Sequence, residues 1–149
     1  MNNYKLAVTV LTFIILSSLF TVSCSKDDSP TEPQNDMALV GDWELSLMRS
    51  IEAADTTILD QSELDSMGLI WNLEFKDDLT MEQVTNMSGP IVTMPGTWET
   101  SGNQLSITLT GPSDETSTLT YAYAVDGNLM SLDWQLPSGT EFYSEFTRQ

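Results

Sequence analysis

The chain has 149 residues and a net charge of −17, with 5 lysines and arginines, 22 aspartates and glutamates, no histidine and one cysteine. Such an acidic chain repels nucleic acid and anionic lipid headgroups, so we expect no DNA or RNA partner. The lack of histidine removes the commonest general base and metal ligand, and a single cysteine excludes a disulfide within the chain.

An apolar leader opens the chain. Met1 to Lys5 is polar with one cation, and the run that follows to Phe20 is rich in leucine, isoleucine, valine and phenylalanine. This is the layout of a secretory signal peptide, and the run falls short of the roughly 20 clean apolar residues of a membrane-spanning helix. The sequence predicts a signal peptide over residues 1–23, and an uncleaved anchor is the alternative.

The cysteine comes directly after this leader. Val22-Ser23-Cys24 resembles the lipobox of bacterial lipoproteins, although the family usually has leucine where this chain has Thr21. The resemblance implies that Cys24 carries acyl chains such as palmitate and becomes the mature N-terminus. Since each buried methylene contributes about 0.8 kcal/mol, two or more chains hold a protein on a membrane almost permanently. Cleavage removes only Lys5 among the charged residues, which leaves 4 basic and 22 acidic residues and a net charge of −18.

A polar segment separates Cys24 from the rest of the chain. Ser25-Lys26-Asp27-Asp28 resembles the export signal of lipoproteins displayed on the surface of some Gram-negative bacteria, and a hydrated linker is the alternative. Residues 29–36 are polar, contain two prolines and lack apolar periodicity, so we predict a disordered tether over residues 24–38. The expected location is the cell envelope, lipid-anchored in the outer membrane and surface-exposed.

Residues 39–149 alternate apolar and polar side chains over many short stretches. In the first stretch Trp43, Leu45 and Leu47 alternate with polar neighbours, which is the period of a strand with one wet face. Turn residues separate eight such stretches, so the sequence predicts one all-β domain. The inward-facing residues predicted for the later strands are Leu69, Trp71, Leu73 and Phe75; Leu79 and Met81; Trp98; Leu105, Ile107 and Leu109; Leu119, Tyr121, Tyr123 and Val125; Met130, Leu132, Trp134 and Leu136; and Phe142 and Phe146.

Two places depart from this alternation. In the third strand Gln83 and Thr85 share the parity of the apolar residues, so either a bulge or a polar patch on the inner face is expected. Between the first two strands, Asp60 and Glu63 have the spacing of a capping box, and Gly68 is a typical helix end. The sequence predicts a helix of about two turns that lays Leu64 and Met67 on the sheet.

Short hairpins between the strands favour an eight-stranded antiparallel up-and-down meander. Asp126-Gly127-Asn128 is the strongest hairpin signal, because these residues adopt positive φ readily. Closing the meander into a barrel removes its unpaired edges. A two-sheet β-sandwich is the alternative.

Short motifs at both ends of the domain resemble those of lipocalins. Gly41-Asp42-Trp43 is similar to the lipocalin Gly-X-Trp, and Arg148 is placed like the arginine that packs over that tryptophan. With Gly96-Thr97-Trp98 and the two late hairpins, residues 39–149 resemble the lipocalin-like (calycin-type) domains of bacterial lipoproteins. The departures are the lack of a disulfide pair and of a helix after the last strand. The resemblance implies that Trp43 and Arg148 close one end of the barrel.

In lipocalins the barrel interior holds a small apolar ligand, so the resemblance implies a carrier of a small hydrophobic or amphiphilic molecule. The helix and the preceding loop, residues 52–59, would act as a lid. A solid core is the alternative, because an eight-stranded barrel has room for side chains or one small ligand but hardly for both. The predicted ligand-binding residues are Trp71, Phe75, Gln83, Trp98, Tyr121, Tyr123 and Trp134.

A solid barrel would instead be an interaction module that presents loops, such as residues 111–115, to an envelope protein or a glycan. Carboxylates are plentiful enough to form a glycosidase pair by chance, but no pattern places two in one pocket. No run has the aspartates, glycine and distal glutamate of a calcium loop. We therefore predict no enzyme activity, no cofactor and no metal site.

Overall fold

The structure, a computed structural model, describes residues 35–53, 55–87 and 89–149. The predicted signal peptide, the lipidation site Cys24 and the tether up to residue 34 lie outside the described residues. We predicted that residues 35–38 belong to a disordered tether, but these residues contact the barrel. The Asp36 N–H donates to Thr100 Oγ1 over 2.8 Å, and the Thr100 N–H donates to Asn35 Oδ1 over 2.7 Å. Within the described residues, the chain is therefore attached to the barrel from Asn35 onward.

One continuous antiparallel sheet makes up most of the described chain. A 3-10 turn, Met37–Leu39, precedes the sheet, and a single α-helix interrupts it. The elements are β1 (Gly41–Glu52), β2 (Asp55–Asp60), α1 (Gln61–Met67), β3 (Trp71–Phe75), β4 (Thr80–Thr85), β5 (Val92–Ser101), β6 (Gln104–Thr110), β7 (Thr116–Asp126), β8 (Leu129–Gln135) and β9 (Glu141–Arg148).

The sheet closes on itself because β1 pairs with β9. The register runs from Trp43 opposite Arg148 to Ile51 opposite Glu141. β1 also pairs with β3, and each strand from β3 to β8 pairs with the next. β1 and β3 to β9 form a closed eight-stranded antiparallel barrel, which confirms the predicted fold class. Closure through β1 and β9 also removes the sandwich alternative, since two open layers would leave edges unpaired.

The ninth strand, β2, is the part of the sheet that the sequence did not predict. β1 is longer than β3, and its first residues pair with β3 while its second half pairs with β2. We predicted residues 52–59 to be a loop. Instead, Glu52 ends β1, and residues 55–59 form most of β2. The hairpin of β1 and β2 extends the barrel wall, so sheet replaces the loop that was predicted to be part of a lid.

β1 contains a bulge that changes which side chains face inward. Leu45 pairs with Phe146, but Leu47 pairs with Glu145, so Ser46 is the extra residue. Because side chains alternate with a period of two, one extra residue reverses the faces beyond it. Leu47 was predicted to face inward with Trp43 and Leu45, and the bulge places it instead on the face of Glu145.

In β4 the irregular alternation reflects a polar patch. The pairing of β3 with β4 is continuous from Trp71 opposite Thr85 to Phe75 opposite Met81. Met81, Gln83 and Thr85 are all buried on the inner face. Of the two alternatives, the structure supports the polar patch, and it lies at the end of the barrel where β3 begins.

The helix forms where the capping signal predicts it. Asp60 accepts the Glu63 N–H, the Glu63 side chain accepts the Asp60 N–H, and Gly68 ends the helix with φ +64°. The bond from the Glu63 N–H is the main reason that the pKa of Asp60 lies below 3.8. Because the folded-state pKa is the lower one, the stability that the ionised Asp60 cap contributes is present above the ordinary aspartate pKa and is lost as the pH falls through the folded-state pKa. Leu64 is buried as predicted, whereas Met67 is 60% exposed and does not pack on the sheet.

The closed end of the barrel, where the 3-10 turn meets β1 and β9, is sealed around Trp43. The Trp43 indole N–H donates to the Leu39 carbonyl over 2.7 Å. The Arg148 guanidinium lies 4.3 Å above the Trp43 ring and donates to the carbonyls of Ala38 and Val40. The side chain of Arg148 thus joins the last strand to the segment that precedes the first strand.

Gly41 leaves the space that Arg148 occupies. Its φ is +141°, and a Cβ at this position would lie 2.8 Å from Arg148 Nη1. Gly41→Ala should therefore both strain the backbone and displace the guanidinium. Gly89→Ala is the matched control, because Gly89 has φ +140° and nothing lies within 4 Å of its Cβ position.

We expect Gly41→Ala to lower the free energy of unfolding by about 1–2 kcal/mol more than Gly89→Ala does, which corresponds to the lost cation–π contact and hydrogen bonds. Urea unfolding followed by circular dichroism measures both variants. Equal costs would show that Arg148 contributes little at this end.

Candidate ligand-binding cavity

The two ends of the barrel are packed differently. Near the closed end, Phe75 and Trp98 meet edge to face with their ring centroids 5.5 Å apart, and the Trp98 indole N–H donates to the Lys76 carbonyl over 3.1 Å. Both rings are almost completely buried. This half of the barrel is a solid core.

The opposite end, which we call the open end, is where β3 begins and where β4 and β8 end. A cavity of about 480 Å³ lies there, within the range of 300–1,000 Å³ that is usual for small-molecule sites. Its lining residues are Trp71, Gln83, Thr85, Met87, Met94, Thr118, Leu119, Thr120, Tyr121, Trp134, Gln135, Leu136 and Pro137. The barrel therefore combines a solid half with a hollow half.

Aromatic rings form part of the cavity wall. Trp134 stacks on Phe142 with centroids 4.2 Å apart and planes 12° apart, and it meets Tyr121 edge to face at 6.5 Å. Trp71 packs edge to face on Phe146 at 5.1 Å. Because each ring is held by a neighbour, the wall is formed before any ligand arrives.

The polar patch of β4 supplies hydrogen-bonding groups to this wall. The Trp71 indole N–H donates to Gln83 Oε1 over 3.2 Å. An indole nitrogen only donates, so the Gln83 carboxamide must turn its oxygen toward Trp71 and keep its NH₂ group for another partner. Gln83 thus brings a neutral donor to the cavity.

Tyr121 adds a second neutral polar group to the wall. Burial raises the pKa of the Tyr121 hydroxyl to about 12, so this group stays protonated at physiological pH. Within the described chain, Trp134 Nε1 is buried without an acceptor. A buried donor without an acceptor lowers the free energy of unfolding by about 1–3 kcal/mol.

The sequence was also compared with known proteins. A family model described as a lipocalin-like domain matches residues 39–132, well over half of the chain. The chain belongs to the lipocalin-like family. A search of curated proteins finds no match.

Three solved structures are similar to this lipocalin-like chain. A lipocalin-like protein from Bacteroides uniformis has 16% identity and a TM-score of 0.48, with 75% of this chain and 99% of that one covered. A protein from Bacteroides eggerthii has 16% identity and a TM-score of 0.46, with coverages of 74% and 98%. A redesigned β-barrel has 13% identity and a TM-score of 0.43, with coverages of 75% and 92%.

The lipocalin-like barrel separates the predicted ligand-binding residues into two groups. Four of them, Trp71, Gln83, Tyr121 and Trp134, line the cavity at the open end. The other three lie elsewhere: Phe75 and Trp98 fill the solid half, and the Tyr123 hydroxyl donates to Asp36 Oδ2 over 3.2 Å near the closed end. A ligand in the cavity would meet only the first group. Alternation along a strand identifies the inner face but not the height along the barrel axis.

Sequence reasoning did not assign several cavity residues to the site. Thr85 could have been found, because it shares the inner parity of Gln83. Met87 shares that parity in the predicted third strand, and Met94 shares the parity of Trp98 in β5, so both could have been found as well. Pro137 gave no signal, since it lies in the turn after β8, where parity ends. No residue of α1 lines the cavity, although the helix was predicted to belong to its lid.

A second hollow, of about 510 Å³, lies at the closed end around residues 35–38, Thr100 and Tyr123. It opens widely to solvent, and the N-terminal segment forms one side of it, so we regard it as the seam where that segment docks. Among residues 35–53, 55–87 and 89–149, no helix is long and apolar enough to cross a bilayer. In that same part of the chain, no three histidine, cysteine, aspartate or glutamate residues cluster as metal ligands would.

Proposed function

We propose that the lipocalin-like barrel binds a small hydrophobic or amphiphilic molecule in the cavity at its open end. The cavity itself is the observation that supports this proposal: it has the size of a small-molecule site, and its wall combines fixed aromatic rings with a few polar groups. The half of the barrel that faces Trp43 is solid, which restricts any ligand to the open half. Binding is proposed here, and no chemical conversion of the ligand.

The proposal extends to the export of the domain and its attachment to a membrane. A signal peptide over residues 1–23 and acylation of Cys24 would anchor the chain in the cell envelope, in the outer membrane and on the cell surface. The N-terminal segment meets the barrel at Asn35, beside Thr100 near the closed end.

Filling the cavity mouth should prevent ligand uptake. Leu119 lines the cavity and is 44% exposed, so Leu119→Trp should be tolerated by the fold while it occupies the entrance. Leu129→Trp is the matched control, because Leu129 is 50% exposed at the closed end of β8. We expect Leu119→Trp to weaken binding of 1-decanol at least tenfold and Leu129→Trp to leave it unchanged.

Native mass spectrometry of the domain, residues 24–149, purified and then incubated with 1-decanol, measures this binding. Detection of the complex with the parent and with Leu129→Trp, and its loss with Leu119→Trp, would support the proposal. A ligand-free mass in every case, or equal binding by both variants, would contradict it.

Replacing Cys24 tests the proposed lipid anchor separately from ligand binding. Cys24→Ser removes the thiol that would receive the diacylglycerol, so the variant should not incorporate radiolabelled palmitate in cells and should appear as a soluble or leader-retaining form. Ser25→Ala is the control and should be labelled like the parent. Normal labelling of Cys24→Ser would remove the anchor from the proposal.

One observation favours an interaction module as a second candidate function. Met87, Ile91, Leu119 and Leu136 are large apolar residues that are each about 40–60% exposed near the open end. An acidic envelope protein with such an apolar rim could contact another protein or a glycan. Chemical crosslinking on intact cells tests this candidate, and a partner that is retained by Leu129→Trp but lost with Leu119→Trp would support it.

A further inference from the structure

The cavity wall contains no charged side chain, although the chain as a whole carries 22 acidic residues. Every lining residue is apolar, aromatic, a hydroxyl or a carboxamide. An uncharged wall in such an acidic protein favours a ligand that carries no charge.

An anionic ligand would meet two penalties in this cavity. A carboxylate that leaves water needs a cation or several strong donors in exchange, and the wall provides no cation. The net charge of −17 also creates a negative potential that opposes the approach of an anion. The described residues include three cations. Arg148 is committed to the closed end, Arg49 lies over the Tyr143 ring at 4.9 Å, and Lys76 pairs with Glu74 over 3.4 Å.

Three neutral polar groups of the wall can donate to a ligand, whereas the Gln135 NH₂ group already donates to the Gly139 carbonyl over 3.3 Å. Gln83 presents its NH₂ group because its oxygen accepts from Trp71, and the Tyr121 hydroxyl is a donor that carries no charge. The Thr85 hydroxyl accepts the Met87 N–H over 3.2 Å, so its own proton is left to donate. A ligand oxygen that accepts hydrogen bonds would complement this set.

We infer that the cavity selects an uncharged amphiphile: an apolar body that packs on Trp71 and Trp134, with a hydroxyl or carbonyl oxygen that accepts from Gln83 and Tyr121. The inference rests on the proposed function and narrows its ligand class. It excludes fatty acids in their ionised form as the preferred ligand. The chemistry recognised is that of a long-chain alcohol, ester or amide.

The test compares two probes of equal chain length, 1-decanol and decanoate, by equilibrium dialysis of the radiolabelled compounds against residues 24–149 at pH 7.5 and 0.15 M salt. We expect 1-decanol to bind at least tenfold more tightly. Equal binding, or tighter binding of decanoate, would overturn the inference while leaving the proposed function standing. If neither probe binds, the proposed function fails, and the inference fails with it.

A charge placed at the cavity mouth tests whether the wall causes the selection. Leu119→Lys puts an ammonium group on the wall, and Leu129→Lys makes the same change of net charge at the closed end. We expect Leu119→Lys to reduce the preference for 1-decanol over decanoate about tenfold and Leu129→Lys to leave the preference unchanged. If both variants change the preference equally, net charge rather than the wall controls selection, and the inference is wrong.

Removal of the Tyr121 hydroxyl tests whether the ligand oxygen accepts a hydrogen bond from it. Tyr121→Phe keeps the ring that packs on Trp134, and it should weaken binding of 1-decanol about threefold to tenfold. Tyr143→Phe is the control, since the Tyr143 hydroxyl donates to Glu145 on the barrel wall outside the cavity. Unchanged 1-decanol binding by Tyr121→Phe would contradict the assignment of Tyr121 as a donor to the ligand.

Discussion

Trp43→Ala should lower the free energy of unfolding by about 3–5 kcal/mol, the usual cost of deleting a large buried aromatic side chain. Trp43 is 1% exposed, its indole N–H bonds the Leu39 carbonyl, and Arg148 covers its ring. The substitution therefore removes packing, a hydrogen bond and a cation–π contact together. For a domain of this size, we expect the melting temperature to fall by about 10–20 °C.

Circular dichroism is the suitable probe for this measurement, because the substitution itself alters tryptophan fluorescence. Trp43→Phe is the informative comparison, since it keeps a ring under Arg148 and loses the indole N–H. It should lower the free energy of unfolding by less than Trp43→Ala does. A shift of only a degree or two with Trp43→Ala would show that this end of the barrel does not depend on the tryptophan.

Leu64→Ala should lower the free energy of unfolding by about 2–5 kcal/mol. Leu64 is the buried residue of α1, with 1% of its surface exposed. A helix of seven residues is unstable alone, so its attachment depends on the side chains that it buries. Loss of Leu64 should both leave a void and release the helix from β1 and β2.

Met67→Ala is the matched control for this prediction, because Met67 lies one turn further along the same helix and is 60% exposed. It should change the free energy of unfolding by less than about 0.5 kcal/mol. Urea unfolding of both variants by circular dichroism gives the comparison. Similar effects of the two substitutions would contradict the burial of Leu64 as the main attachment of the helix.

Local signals in the sequence were sufficient to predict the regular parts of the fold. The alternation from Trp71 to Phe75 and from Leu105 to Leu109 corresponds to buried inner faces, and the Asp60 to Gly68 capping signals correspond to α1. Each of these depends on neighbours within a few residues. The closure of β1 on β9 followed from the number of strands and the physical cost of open edges.

The features that sequence reasoning missed depend on contacts between distant residues. The bulge at Ser46 is determined by pairing with Glu145 and Phe146, which lie about a hundred residues later. Strand β2 forms because the second half of β1 extends beyond β3 and would otherwise present an unpaired edge. Its residues, Asp55 to Asp60, include few large apolar side chains, so no local pattern indicated a strand.

For the candidate site, the sequence identified the correct face but not the correct depth. Trp71, Trp98 and Phe75 share the inner parity, yet Trp98 and Phe75 fill the solid half and only Trp71 reaches the cavity. Depth along the axis depends on strand tilt and register, which follow from the pairing of all eight strands. A choice between a solid core and a cavity therefore required the structure, which contains both.

The indole N–H resonances of the four tryptophans provide the most direct test of a ligand in the open half of the barrel. Trp71 and Trp134 line the cavity, whereas Trp43 and Trp98 lie in the solid half and act as internal controls. In ¹H–¹⁵N spectra of the domain titrated with 1-decanol, the Trp71 and Trp134 signals should shift to saturation while those of Trp43 and Trp98 stay in place. Four unmoved signals, or equal shifts of all four, would contradict the proposed site.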